Sequence, residues 1–154
     1  MKTSHKICPL AVSLVLVGNA FAQEKKIKRS ELPAAVEKTV VKQSKGATIR
    51  GFSEEKENGQ TTYEAEMLLN GHTKDVQMDA KGVVIEVEEQ VDLHAVPAEV
   101  RAGLQAKAGK GKITKIESIT KKDKLLAYEA QVVTDGKKSE VQVGPAGNPL
   151  DHEE

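Results

Sequence analysis

The sequence predicts an α+β fold of two tandem repeats, each one helix packed on an antiparallel meander sheet of three to four strands. Three observations predict it: a chain-long internal repeat, one apolar helical stripe per copy, and period-two strands joined by tight-turn signals. In the repeat, Leu32-Pro33-Ala34 returns as Val96-Pro97-Ala98, Val36 as Val100 and Ile49 as Ile113, all at an offset of 64. After a one-residue length change the offset becomes 65. Tyr63-Glu64-Ala65 then matches Tyr128-Glu129-Ala130, Gly71 matches Gly136, Val76-Gln77 matches Val141-Gln142 and Gly82 matches Gly147. Residues 63–85 and 128–150 share seven identities in 23 positions, too many for unrelated segments.

The first helix is expected to open at Ser30-Glu31-Leu32-Pro33, where proline in the first turn sacrifices no hydrogen bond. Leu32, Val36 and Val40 make its apolar stripe, and Gly46 ends it. Val96, Val100, Leu104 and Ala108 repeat the stripe in the second copy, which ends at Gly109-Lys110-Gly111.

Strands follow each helix. Tyr63, Ala65, Met67 and Leu69 alternate with Glu64, Glu66 and Leu68, a pattern with one dry and one wet face. Asn70-Gly71 is a hairpin turn signal, with Asp135-Gly136 its counterpart. The next strand points Val76 and Met78 inward, Asp75 and Gln77 outward, and turns at Asp79-Ala80-Lys81-Gly82; Gly144-Pro145-Ala146-Gly147 turns the second copy. A last strand is expected to carry Val83, Ile85 and Val87 inward, with Glu86 and Glu88 outward. The first strand of each copy is irregular, because Ile49 and Phe52, like Ile113 and Ile116, differ in parity. Either a bulge separates them or the first isoleucine belongs to the helix–strand corner. The second copy stops near Leu150, so three strands are expected there. Units this small bury little alone, so the two should share an interface, for instance by aligning their sheets.

The remaining boundaries come from the ends of the chain. Lys2, His5 and Lys6 precede an apolar run from Leu10 to Val17, and Ala20-Phe21-Ala22 has the small-x-small pattern of a signal-peptidase site. The run is too short to span a bilayer, so residues 1–22 read as a signal peptide cleaved after Ala22. The expected division is then a linker at 23–29, repeats at 30–93 and 94–150, and a fraying acidic tail at 151–154. Export implies a periplasmic or secreted protein without a membrane span after cleavage. Cys8 leaves with the signal, so the mature chain has no thiol chemistry, no Cys-based metal site and no disulfide.

Charge argues against a polyanionic partner: 23 basic residues balance 23 acidic ones, which gives no global attraction to nucleic acid or an anionic membrane. The lysine-rich stretches Lys107–Lys115 and Lys121–Lys124 lack interleaved aromatics and read as solvated loops. His72, His94 and His152 have no second histidine at metal-ligand spacing, so no metal or cofactor is expected. No nucleophile–base pairing is recognisable, and glutamates alternating along an open sheet are not a desolvated acid–base pair, so the chain reads as non-catalytic.

Leu-Pro-Ala-Ala-Val at 32–36, the strand start Ala47-Thr48-Ile49, the Tyr63-Glu64-Ala65 strand and the Asp-x-x-Gly turn at 79–82 resemble the PepSY-like family. That family is similar in architecture to the β-lactamase-inhibitor proteins. The resemblance covers nearly all of 30–150. It implies an exported domain that binds or inhibits peptidases or cell-wall enzymes and brings no catalytic residues. The inhibitors engage their targets with aromatics on a concave sheet face and carry disulfides; this chain has neither, so lactamase inhibition is not carried over. A protein partner, a peptidase or other envelope enzyme, is expected to meet the wet sheet face through Glu64, Glu66, Asp75, Gln77, Glu129, Gln131, Glu140 and Gln142, with Glu86 and Glu88 beside them. The alternative is a small-ligand or cation-sensing envelope protein, and the oligomeric state stays open.

Overall fold

A computed structural model describes residues 23–57, 59–152 and 154. The signal peptide expected at 1–22 lies outside the described residues. The elements run β1 (Gln23–Ile27), α1 (Ala34–Gln43), β2 (Ala47–Glu57), β3 (Gln60–Leu69), β4 (His72–Asp79), β5 (Val84–Gln90), α2 (Ala98–Ala108), β6 (Lys112–Lys121), β7 (Lys124–Thr134) and β8 (Lys137–Val143). A single 3-10 turn at Arg29–Glu31 leads into α1, which starts just after Pro33.

This corrects the expected fold class. The described residues form one eight-stranded antiparallel sheet in the order β1 to β8 with two helices, mostly β rather than two helix-on-sheet repeats. The join is β5 to β6, where Glu86–Gln90 pairs with Glu117–Lys121. Two separate sheets would each leave a row of unpaired N–H and C=O groups at that edge, and the pairing satisfies both rows. Residues 23–27, expected as linker, are also sheet: β1 pairs antiparallel with β2 from Gln23↔Lys56 to Ile27↔Phe52.

Two hydrophobic clusters lie under the helices. Val36 and Val40 of α1 pack on Phe52, Tyr63, Ala65, Met67, Val76 and Met78. Val100 and Leu104 of α2, with Val96, pack on Ile116, Ala130, Val132 and Val143. Both lie on the same face, since Ala65, Val76, Val87 and Thr120 are successive cross-strand partners and Thr120 shares its side of β6 with Ile116. Each fully buried Val, Leu or Met here contributes about 1.5–3 kcal/mol relative to exposure. Among the described residues, the opposite face carries no helix.

Bulges settle the parity problem. The β2–β3 register slips between Ile49 and Gly51, and the β6–β7 register between Ile113 and Lys115. An extra residue, Arg50 in one strand and Thr114 in the other, lets isoleucine and the residue three positions on both face the core. The last strand of the first half differs from expectation for the same reason. A slip opposite Gln77/Met78 makes Ile85 the extra residue, so Val84 and Val87 pack on the core while Val83 is 58% exposed.

The turns fit their glycines. Asn70-Gly71 and Asp135-Gly136 take positive φ at both residues, the mirror-image turn that follows sheet twist. Gly82 and Gly147 also have positive φ, and here the helices crowd them as well. A Cβ on Gly82 would fall 2.3 Å from the Ala35 carbonyl oxygen, and one on Gly147 would fall 2.1 Å from that of Glu99. Thr39 Oγ1 donates to the Gly82 carbonyl at 2.7 Å, tying α1 to the β4–β5 turn. Gly136→Ala meets nothing within 4 Å and should cost only the left-handed backbone term, about 1–2 kcal/mol. Gly147→Ala adds a backbone clash with α2, so thermal or urea unfolding of the two variants should show the larger loss for Gly147→Ala; equal losses would contradict the close approach.

Candidate functional site

The bare face collects the outward residues of every strand. Its cross-strand pairs are Glu64↔Gln77, Glu66↔Asp75, Glu129↔Gln142 and Gln131↔Glu140, so the residues named from the sequence lie directly opposite one another. Pairing of β4 with β5 then extends two rows: Glu64–Gln77–Glu86 and Glu66–Asp75–Glu88. In the second half, Gln142 Nε2 donates to Glu129 Oε2 at 2.8 Å. Gln142 points outward but is only 5% exposed, so it is part of a packed polar contact and not an open docking group. Glu140, by contrast, is exposed.

Several residues of this face were not legible as such. Glu117 on β6 is a charged group only 4% exposed; its carboxylate contacts Lys115 Nζ at 2.5 Å and accepts from Thr73 Oγ1 at 3.4 Å. Ile119, 2% exposed and outside both helix-side clusters, faces the same way as Glu117 along β6. Lys26, from the segment expected as linker, ion-pairs with Glu66 across β1, β2 and β3. Lys115 and Lys121, read as loop lysines, are strand residues, and Lys121 Nζ lies 3.7 Å from Glu86 and 3.6 Å from Glu154. The tail does not simply fray, since the Glu154 N–H donates to Gln142 Oε1 at 2.8 Å. The bulge at Thr114 is the signal that could have placed Lys115 and Glu117, because it sets the parity of the rest of β6.

Electrostatics sets the centre of the face apart from its margins. A depression of about 120 Å³ is lined by Glu64, Asp75, Gln77, Glu86 and Glu88. Among the described residues, Glu64, Asp75 and Glu88 form no ion pair, while Glu66, Glu86 and Glu117 each have a lysine. Burial pushes the Glu64 carboxyl up to about 7, reinforced by Asp75, Glu66 and Glu24 and opposed by Lys26. Burial likewise lifts Glu88 to about 7, helped by Glu86, Glu117, Glu129 and Asp75. Asp75 is also raised, first by burial, with Lys115 pulling the other way. Carboxylate oxygens of Asp75, Glu88 and Glu117 come within 4.8 Å of one another, close enough to face one cation, although Lys115 already neutralises the Glu117 corner.

No family model and no curated protein matches the chain. Solved structures do. A candidate periplasmic protein from Bacteroides eggerthii superposes with a TM-score of 0.63 at 19% identity, covering 77% of this chain and 86% of that one. A DUF2874 family protein from Bacteroides ovatus gives 0.60 at 18%, covering 78% and 85%. A BLIP-like protein from Bacteroides fragilis gives 0.57 at 18%, covering 77% and 83%. The fold is BLIP-like. At these identities the likeness is one of fold alone. Among the described residues, no helix is long and apolar enough to cross a membrane.

The raised carboxyls fix a sign for pH dependence. Glu64 and Glu88 hold protons in the folded state up to about pH 7, whereas unfolded glutamates release them near 4.5. The folded state therefore binds more protons across that window, and the contribution of these groups to stability falls as pH rises from about 4.5 through 7. Thermal melts of Glu64→Gln/Glu88→Gln should give a higher Tm than wild type at pH 8 and little difference near pH 4.5. A lower Tm at pH 8 would mean that the charged forms are stabilised in the fold.

Proposed function

We propose that this chain is an exported, non-catalytic binding module of the periplasm or the cell exterior. In this proposal it recognises or inhibits a peptidase or another envelope protein through its open sheet face. One observation carries the reading: both helices pack on one side of an eight-stranded sheet, so the other side is a helix-free surface of mostly polar outward side chains, which the tail meets at Gln142 and Lys121 through Glu154. The PepSY-like sequence resemblance and the BLIP-like fold point the same way, as does the candidate periplasmic neighbour. The face holds near-neutral carboxyls, but it is an open sheet with no nucleophile–base pair among the described residues, which supports binding over catalysis. The cation-sensing alternative would use Asp75, Glu88 and Glu117, whose carboxylate oxygens lie within 4.8 Å of one another.

Affinity capture from an envelope fraction tests the docking proposal. Partners held by the mature chain should be lost when Glu64, Glu66 and Glu129 are reversed to lysine. They should be retained when the exposed α1 residues Lys38 and Lys42 are reversed to glutamate. Retention of every partner by the sheet-face variant, or loss only from the α1 variant, would refute it.

A further inference from the structure

We propose that the partner presents an extended basic segment, and that one of its lysine or arginine side chains enters the depression between Glu64, Asp75 and Glu88. The inference rests on the docking function proposed above and adds the chemistry of what docks. Charge complementarity is the first argument. Of the carboxylates around the depression, Glu86 is met by Lys121, while Glu64, Asp75 and Glu88 form no ion pair among the described residues. Once ionised, these partly buried carboxylates repel one another without a counterion and are stabilised when a cation arrives, so the face gains most from a positively charged partner.

The chain itself supplies the second argument. Ammonium groups already sit on this face at three places around the depression: Lys26 on Glu66, Lys115 on Glu117 and Lys121 on Glu86. Each approaches from a strand other than that of its acid, or from two residues along the same strand, so the surface accepts ammonium groups from several directions. The centre has the same acids and lacks the lysine. Its volume of about 120 Å³ suits the end of one side chain and not an organic cofactor.

Spacing supplies the third. Glu64 and Glu66 are two residues apart on β3, as are Glu86 and Glu88 on β5, so equivalent carboxylates repeat roughly every 6.6–6.8 Å along the strands. Alternate side chains of an extended peptide repeat at the same distance. A segment laid along the strands with basic residues at every second position would therefore place successive cations against both rows, where a folded surface with scattered lysines would match one.

The probe is the end-blocked peptide Gly-Lys-Gly-Lys-Gly-Lys-Gly, titrated into the mature chain by NMR at two salt concentrations, with its glutamate counterpart as control. The lysine peptide should bind more weakly at high salt, shift resonances of β3, β4 and β5, and lose at least tenfold in affinity in Glu64→Gln/Glu88→Gln. That variant keeps the side-chain shape, and its melting curve checks that it is folded. The glutamate peptide should not bind. Equal affinity for wild type and the double variant would overturn the proposal, as would Ca²⁺ binding to the Asp75–Glu88–Glu117 group of a protein that ignores the peptide. If captured partners depend on the sheet face but cross-link to it through an acidic or apolar segment, the docking function stands and this inference falls.

Discussion

Everything on the functional side depends on the backbone pairing of β5 with β6. Glu86–Gln90 and Glu117–Lys121 exchange the hydrogen bonds that turn eight strands into one surface. Because the sheet is continuous, both helices can bury their valine and leucine stripes against a single side. The other side then becomes uninterrupted, with Glu88 on β5 and Glu117 on β6 brought within reach of one another and of Asp75. Without that pairing the centre of the face would be an edge, and the carboxylates would be solvated groups at the rims of two smaller sheets.

The carboxylates show a balance between cost and position. A glutamate on a strand in open water keeps an ordinary pKa, but here flanking strands lower the local dielectric and add like charges. Lysines at the margins relieve Glu66, Glu86 and Glu117, and the Arg29–Glu37 pair shows that distant acids find guanidinium partners too. The group left over is compact and central.

Much of the local structure was legible because period and turn chemistry act over a few residues. The helical stripes of Val36 and Val40 and of Val100 and Leu104, the Asn70-Gly71 and Asp135-Gly136 turns, and the inward set Tyr63, Ala65 and Met67 follow from spacing alone, and the structure has them. The outward direction of the eight named residues was legible too, since alternation against a dry side defines the other one, but their exposure was not: Gln142 is only 5% exposed. What spacing could not supply was how strands from different parts of the chain meet. The β5–β6 join is a long-range edge pairing, and no local pattern separates it from two sheets side by side. Bulges were the second blind spot. One extra residue at Ile85 exchanged the faces of Val83 and Val84, and one at Thr114 decides which way Lys115 and Glu117 point. β1 was missed because a short charged edge strand has the composition of a linker.

The most direct measurement of the central claim is carboxyl footprinting of residues 23–154 with and without a captured partner, read by mass spectrometry. If the open face is the docking surface, partner binding protects Glu64, Glu66, Asp75, Glu86 and Glu88 from modification. Glu31 and Glu99, exposed near the helices, should react as before. Protection confined to Glu31 and Glu99, with the sheet carboxylates reacting as freely as in the isolated protein, would contradict the account.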